Sequence, residues 1–281
     1  MRWFGGRESS NVEYGSGGGS GKLIGGGIGT LIIGIIVYLL GGNPSQLLQD
    51  VQSQPAEATY KKTADQQDHT DHFVAVILAE TEDVWTGVFK DMGREYQKPV
   101  LHIFERSVSS ACGSASAATG PFYCPADEKV YLDKSFFNEL SNRFQAPGDF
   151  ANAYVIAHEV GHHVQRLLGT TDKYERMLSG ASKREANRLS VMMELQADFY
   201  AGIWAHYLQK TEQVIDPGDI EAALNAANAI GDDRLQKQAQ GTIVPDAFTH
   251  GTSQQRMYWF KKGYETGDIR QGNTFKELGD M

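Results

Sequence analysis

The sequence is poor in cysteine, in proline and in clustered basic residues. Only two of its 281 residues are cysteine, and eight are proline. The cysteines do not form a Cys-x-x-Cys pair, which argues against thioredoxin-like redox motifs and cysteine-based structural zinc sites. Acidic residues outnumber basic ones by 35 to 26, and the formal net charge is -9. Because nucleic acids are bound by patches of Lys and Arg, this composition predicts no nucleic-acid partner.

The two cysteines are twelve positions apart. Cys112 and Cys124 lie in a segment rich in Gly, Ser and Ala. We expect a disulfide between them if the domain lies in an oxidising compartment, and two free thiols otherwise. Closing so short a loop would stabilise the fold by roughly 3 kcal/mol, through the lost entropy of the unfolded chain.

Long apolar runs are also scarce, and the clearest one lies near the start of the chain. Residues 23–40 carry no charge and are mostly Leu, Ile, Val and Gly. This is about the shortest stretch that crosses a bilayer as a helix. Arg2, Arg7 and Lys22 precede it, and no basic residue follows before Lys61. The positive-inside rule therefore predicts a single transmembrane helix with a cytoplasmic N-terminus. A buried core helix and a cleaved signal peptide are the alternatives.

The apolar run divides the chain into four parts. Residues 1–22 are polar and rich in Gly and Ser, which is typical of a disordered tail. The predicted membrane helix follows over residues 23–40, and a Gln-rich linker extends over residues 41–69. Residues 70–281 are enough for one globular domain, and this topology places that domain outside the membrane.

The domain is organised around His158, Glu159 and His162, which form a His-Glu-x-x-His sequence. The surrounding apolar residues and the following Gly169 predict a helix over residues 150–168. In a helix, positions i and i+4 share one face, so both imidazoles can bind one zinc ion. Glu159 lies close enough to act as general base on water without being a ligand.

A pair of carboxylates downstream can complete the site. Glu194 and Asp198 are also i and i+4, on a second helix predicted over residues 182–210. The metzincin continuation is absent, since Gln165 stands where that motif has Gly and Leu168 stands where it has the third His ligand. One carboxylate of this pair can complete a zinc site with the two histidines, and the other can accept the second N–H of a ligating histidine and so fix its tautomer.

These residues resemble a known type of zinc peptidase. His-Glu-x-x-His followed by Glu-x-x-x-Asp is similar to the gluzincin pattern of thermolysin-like and membrane-anchored peptidases. Longer strings resemble the bacterial neutral zinc metallopeptidase family (YpfJ-like) over nearly the whole chain, namely Met-Arg-Trp at 1–3, Phe-Tyr-Cys-Pro at 122–125, Val-Tyr-Leu-Asp at 130–133, His-Glu-Val-Gly-His-His-Val-Gln at 158–165, Gly-Asp-Asp-Arg-Leu-Gln at 231–236 and Thr-His-Gly-Thr-Ser at 249–253.

The resemblance implies a zincin-like metallopeptidase domain with one Zn²⁺ per chain and a protein or peptide substrate. It makes His158, His162 and Glu194 the metal ligands, Glu159 the general base and Asp198 the partner of a ligand. Combined with the apolar run, it implies attachment to the bacterial cell membrane through residues 23–40. The catalytic domain would then be periplasmic or extracellular.

The remaining pattern predicts a mostly α-helical fold with a small β-sheet (α+β). Besides the two metal helices, we expect helices over residues 70–96, 135–144, 217–230 and 253–265, and strands over residues 99–104, 121–124 and 129–132. In zincins a strand just before the zinc helix binds the substrate backbone by strand addition, and residues 129–133 occupy that position in the sequence.

Two residues near the end of the domain are further catalytic candidates. His250 and Arg256 resemble a His and Arg pair that shapes the active site in some membrane zinc peptidases. Either could stabilise the oxyanion that forms when water attacks a peptide carbonyl, an effect of roughly 3 to 4 kcal/mol for one good donor. The alternative for His250 is a capping or core residue. Tyr154, one turn before His158, is a weaker donor candidate.

Together these patterns predict a membrane-anchored zinc peptidase in which metal-activated water hydrolyses peptide bonds. The alternative is a non-catalytic, membrane-tethered domain in which metal stabilises a surface that binds another envelope protein. A purely structural site would have no need of Glu159, and this favours the enzyme.

Overall fold

A computed structural model describes residues 1–16, 58–60, 62–63 and 67–277. The strands are β1 (Val12–Ser16), β2 (Ala58–Tyr60), β3 (Val100–Phe104), β4 (Ser107–Ser110), β5 (Gly113–Ser116), β6 (Phe122–Cys124) and β7 (Lys129–Asp133). The helices are α1 (His69–Asp91), α2 (Ser135–Asn142), α3 (Asp149–Leu168), α4 (Thr170–Leu178), α5 (Lys183–Thr211), α6 (Asp219–Ala229), α7 (Asp232–Gln240), α8 (Ser253–Thr266) and α9 (Thr274–Glu277). The predicted class, mostly helical with a small sheet, is confirmed.

Five strands form the main sheet, in the order β2-β1-β3-β7-β6. The three central strands are parallel, and β2 and β6 run antiparallel at the two edges. The strand expected to bind substrate is β7, but β7 is paired on both sides, with β3 and with β6. That expectation is wrong, because a peptide can add only to an edge strand. The edge strand that contacts α3 is β6.

The first sixteen residues belong to the folded domain. Trp3 is only 5% exposed, and its Nε1 donates to Asp149 Oδ2 at 2.8 Å, at the start of α3. Strand β1 lies between β2 and β3, and its Val12 and Tyr14 are buried. The predicted disorder of residues 1–22 is therefore wrong for residues 1–16. Their apolar alternation is only two residues long, too short to stand out beside the Gly-rich sequence that follows.

This packing bears on the predicted membrane topology. Segments that share one sheet lie on the same side of any membrane, so residues 1–16 and the domain cannot lie on opposite sides. The predicted span itself, residues 23–40, lies outside the described residues. Within the described part of the chain, no helix combines the length and the apolar character needed to cross a bilayer.

The helices that carry the site cross at small residues. A Cβ atom on Gly161 of α3 would lie 2.9 Å from the carbonyl oxygen of Ala197 on α5. A Cβ atom on Gly202 of α5 would lie 2.1 Å from the carbonyl oxygen of Phe260 on α8. Glycine at these points lets the backbones approach closely. On α5 both crossings lie within about one helical turn of Asp198, so α3, α5 and α8 all reach the same buried point.

The predicted disulfide is present. Cys112 and Cys124 are bonded, with their Cα atoms 5.8 Å apart. Cys112 lies in the turn between β4 and β5, and Cys124 ends β6. Asp127 strengthens this link, since its Oδ2 accepts from the backbone N–H of Ala111 at 2.9 Å and from the Tyr131 hydroxyl at 2.8 Å. The β4–β5 hairpin is thereby fastened to the edge strand.

Most predicted elements occur with shifted ends. The first helix ends at Asp91, five residues before its predicted end, where Gly93 adopts a positive φ. The second metal helix begins at a capping box formed by Ser182 and Glu185. Helices α4 and α7 were not predicted, because they are short and their exposed faces are rich in polar residues.

Candidate metal centre

Helix α3 places the two motif histidines side by side, with their ring centroids 4.9 Å apart. His158 Nδ1 donates to Asp198 Oδ1 at 2.9 Å, and His162 Nδ1 donates to Gln165 Oε1 at 2.8 Å. Because these oxygens only accept, both Nδ1 atoms carry the hydrogen. Both Nε2 atoms are therefore available as metal ligands.

Glu194 on α5 completes the set of donors. Its Oε2 lies 3.2 Å from His158 Nε2, and its Oε1 lies 3.5 Å from His162 Nε2. Two ligands on a tetrahedral zinc ion, with bonds near 2.1 Å, are roughly 3.4 Å apart. Ligand atoms from the three residues lie within 4.8 Å of one another. The structure thus brings the three predicted ligands together at distances that fit a zinc ion.

Asp198 lies directly behind this site and is fully buried. Besides His158, it accepts hydrogen bonds from the Tyr154 hydroxyl and from Arg256, whose Nε lies 2.8 Å from Oδ2 and Nη2 2.9 Å from Oδ1. Arg256 is 2% exposed. The predicted contact between Asp198 and a ligating histidine is present, and Arg256 binds both oxygens of the same carboxylate.

The pKa of His158 is set more by the two neighbouring carboxylates together than by burial. Burial lowers the pKa of His158, but the Asp198 and Glu194 carboxylates raise it to about 10. Burial likewise raises the pKa of Asp198, but Arg256 and His158 bring it down to about 2. Since a metal binds neutral imidazole, a cation entering this site would displace the His158 proton.

Glu159 faces a cavity of about 210 Å³ that also contains the three candidate ligands. Glu159 is 8% exposed, and burial raises the pKa of its carboxyl above the ordinary value for Glu. A carboxylate with a raised pKa is a stronger base toward water. The remaining walls are mostly apolar and include Phe136, Phe144, Val155 and Leu235.

Comparison with known sequences agrees with this geometry. A family model described as "Putative neutral zinc metallopeptidase" matches residues 1–275. The chain belongs to this family. It is 48% identical to the YpfJ protein of Escherichia coli (strain K12), over 98% of this chain and 99% of that protein. It is 41% identical to protein Rv2575 of Mycobacterium tuberculosis (strain ATCC 25618 / H37Rv), over 72% of this chain and 71% of that protein. No solved structure matches it.

His250, one of the predicted catalytic residues, lines the same cavity as Glu159. Its Nδ1 lies 3.2 Å from Asp232 Oδ1. Asp232 is fully buried, and its Oδ2 also accepts from the backbone N–H groups of Thr249, His250 and Gly251, at 2.6, 2.6 and 3.1 Å. These bonds fix the loop and leave His250 Nε2 as the imidazole atom that can act on a ligand.

Three residues of the site escaped sequence reasoning or were underrated by it. Gln165 orients His162 while its own amide donates to Met193 O at 2.7 Å. Tyr154 and Asp232 hold Asp198 and His250, respectively. Gln165 had a usable signal, since a polar side chain three residues after a ligand on a mostly apolar helix needs a partner. The contacts of Asp232 join residues that are far apart in sequence and carried no such signal.

Proposed function

We propose that this protein is a zinc-dependent peptidase that hydrolyses peptide bonds. The observation that carries the proposal is Glu159, a buried carboxylate in the same cavity as the three candidate ligands. A metal site that only stabilises a fold needs ligands and no base. Membership of the neutral zinc metallopeptidase family supports the same chemistry.

The residues around the cavity divide the work of hydrolysis. His158, His162 and Glu194 would hold a zinc ion, and that ion would supply Lewis-acid activation of water and of the scissile carbonyl. Glu159 takes the proton from the attacking water and passes it to the leaving amine. His250, fixed by Asp232, donates to the developing oxyanion.

Arg256 has a different role in this proposal. Its guanidinium donates to both oxygens of Asp198. Asp198 in turn holds the Nδ1–H of His158, so Arg256 acts on the metal through two other residues. We therefore assign stabilisation of the oxyanion to His250 and treat Arg256 as a positioning residue.

The test is Glu159→Gln beside the unchanged protein. Both should bind close to one zinc per chain, measured by mass spectrometry, because Glu159 is not a ligand. Cleavage of a mixed peptide library should fall by at least 100-fold in the variant, since a base contributes about 10²- to 10⁴-fold. Zinc binding without peptide cleavage by either form would refute the peptidase and favour the metal-stabilised binding domain. Equal cleavage by both would refute the role of Glu159.

The compartment and the membrane contact stay predictions. The disulfide supports an oxidising compartment outside the cytoplasm. Any contact of residues 23–40 with a bilayer must leave residues 1–16 and the domain on one side, because the two share a sheet.

A further inference from the structure

The edge strand β6 forms one side of the candidate active site. Its Phe122 and Tyr123 line the cavity together with Glu159. β6 pairs with β7 on one side, and no strand among the described residues pairs with its other side. An extended peptide can therefore hydrogen-bond to β6 while it lies next to the metal ligands.

A relay of hydrogen bonds joins β6 to the zinc helix. The Tyr123 hydroxyl lies 3.0 Å from Nδ1 of His163, the residue that follows the ligand His162. His163 Nε2 lies 2.6 Å from the carbonyl oxygen of Gln97, in the loop between α1 and β3. Because a carbonyl only accepts, Nε2 carries the hydrogen. Nδ1 of the neutral ring then accepts from the Tyr123 hydroxyl.

This relay connects the edge strand to α3 through side chains, at the residue next to the candidate ligand His162. His163 is fully buried, and the Tyr123 and Tyr96 rings pack against it with centroids 5.5 and 5.9 Å away. The imidazole therefore has little room to change its orientation. β6 has only three residues and is held by its short ladder with β7 and by the Cys124 disulfide to the β4–β5 turn. The bond to His163 adds an attachment to the zinc helix.

We propose that Tyr123 and His163 are positioning residues that hold the substrate-binding edge strand at a fixed distance from the zinc helix. The proposal rests on the proposed peptidase function and names the strand and the contact by which a peptide would be held. It predicts that loss of the contact between Tyr123 and His163 weakens the binding of peptides and leaves the binding of the metal almost unchanged.

The test is Tyr123→Phe, which removes the hydroxyl and keeps the ring. Two inhibitors separate the metal from the strand. Acetohydroxamate binds the metal alone, whereas a peptide hydroxamate also needs the strand. We expect the Kd of the peptide hydroxamate and the KM of a cleaved peptide to rise about three- to tenfold, the effect of one net hydrogen bond. kcat should stay within about twofold, and the Kd of acetohydroxamate and the zinc content should not change.

Tyr131→Phe is the matched control. Tyr131 lies on the neighbouring strand, and its hydroxyl donates to Asp127 at 2.8 Å instead of to the zinc helix. It should lower thermal stability without changing the affinity for the peptide hydroxamate. Unchanged affinity in Tyr123→Phe would overturn the proposal. So would equal weakening of both inhibitors, which would place the effect at the metal.

The failure of the proposed function would be seen separately. If the unchanged protein binds zinc and acetohydroxamate but cleaves no peptide, the peptidase is refuted. The peptide hydroxamate would still report whether Tyr123 positions the strand.

Discussion

Replacing Asp198 by Asn separates the two roles of that carboxylate. The change keeps the side-chain shape but removes the charge that faces Arg256 and the second acceptor oxygen. Arg256 is 2% exposed and pairs with Asp198 through two hydrogen bonds. Breaking one partner of a buried ion pair costs about 3 to 5 kcal/mol. We expect the free energy of unfolding of the metal-free protein to fall by about that amount.

The second effect of Asp198→Asn is on the metal. Asp198 Oδ1 accepts the Nδ1–H of His158 at 2.9 Å, and an Asn side chain can place its NH₂ group there instead. Loss of such a partner weakens metal affinity about 10- to 100-fold. At zinc concentrations well above Kd, zinc should therefore stabilise the variant by about 1.4 to 2.7 kcal/mol less than it stabilises the unchanged protein.

Urea unfolding with and without zinc measures both effects, and competition with a chelating dye gives the zinc Kd directly. Asp232→Asn is the matched control. Asp232 is also fully buried and hydrogen-bonded, but its hydrogen bonds go to none of the three candidate metal ligands. It should lose stability while keeping the same increment from zinc. If Asp198→Asn kept the full zinc increment, the carboxylate would not orient His158. If the stability of the metal-free protein did not change, the buried Arg256 would not need the Asp198 carboxylate as its charge partner.

Two further predictions concern the fold. Burial raises the pKa of Glu80 to about 8, and its Oε2 has no hydrogen-bond partner among the described residues. Above about pH 4.5 the unfolded chain loses this proton while the folded chain keeps it, so stability falls as pH rises to about 8. Glu80→Gln should raise the free energy of unfolding by up to about 3 kcal/mol at pH 7 and by little at pH 4, and equal effects at both pH values in urea titrations would contradict this. Trp3→Ala should cost about 3 to 5 kcal/mol by thermal or urea unfolding, because the ring is buried in the core. Unchanged stability would contradict the packing of Trp3 and support the predicted disorder of the N-terminal residues.

The sequence was informative wherever the chemistry is local. The spacing of His158 and His162, and of Glu194 and Asp198, is a property of single helices, and a helix fixes which side chains share a face. The capping box at Ser182 and the helix end at Gly169 are also set by neighbouring residues. For these reasons the three candidate metal ligands that the structure brings together, and most helices, could be predicted from the amino-acid sequence.

The sequence was misleading where strands are concerned. The order of strands in a sheet depends on pairings between distant segments, so nothing local showed that β7 is internal or that β6 is the edge. The same holds for β1, which pairs with a strand almost ninety positions away in the register Val12 to Leu101. A short polar segment gains its order from that partner.

The sequence by itself determined the candidate donor set, the candidate base and the helices that carry them, because these follow from residue type and helical period. Only the tertiary structure decided how they meet. Close backbone crossings at Gly161 and Gly202 bring three helices to one buried point, where the Arg256 guanidinium is bound to Asp198. Which group each candidate side chain meets depends on packing between distant segments, and periodicity within one segment carries no information about it.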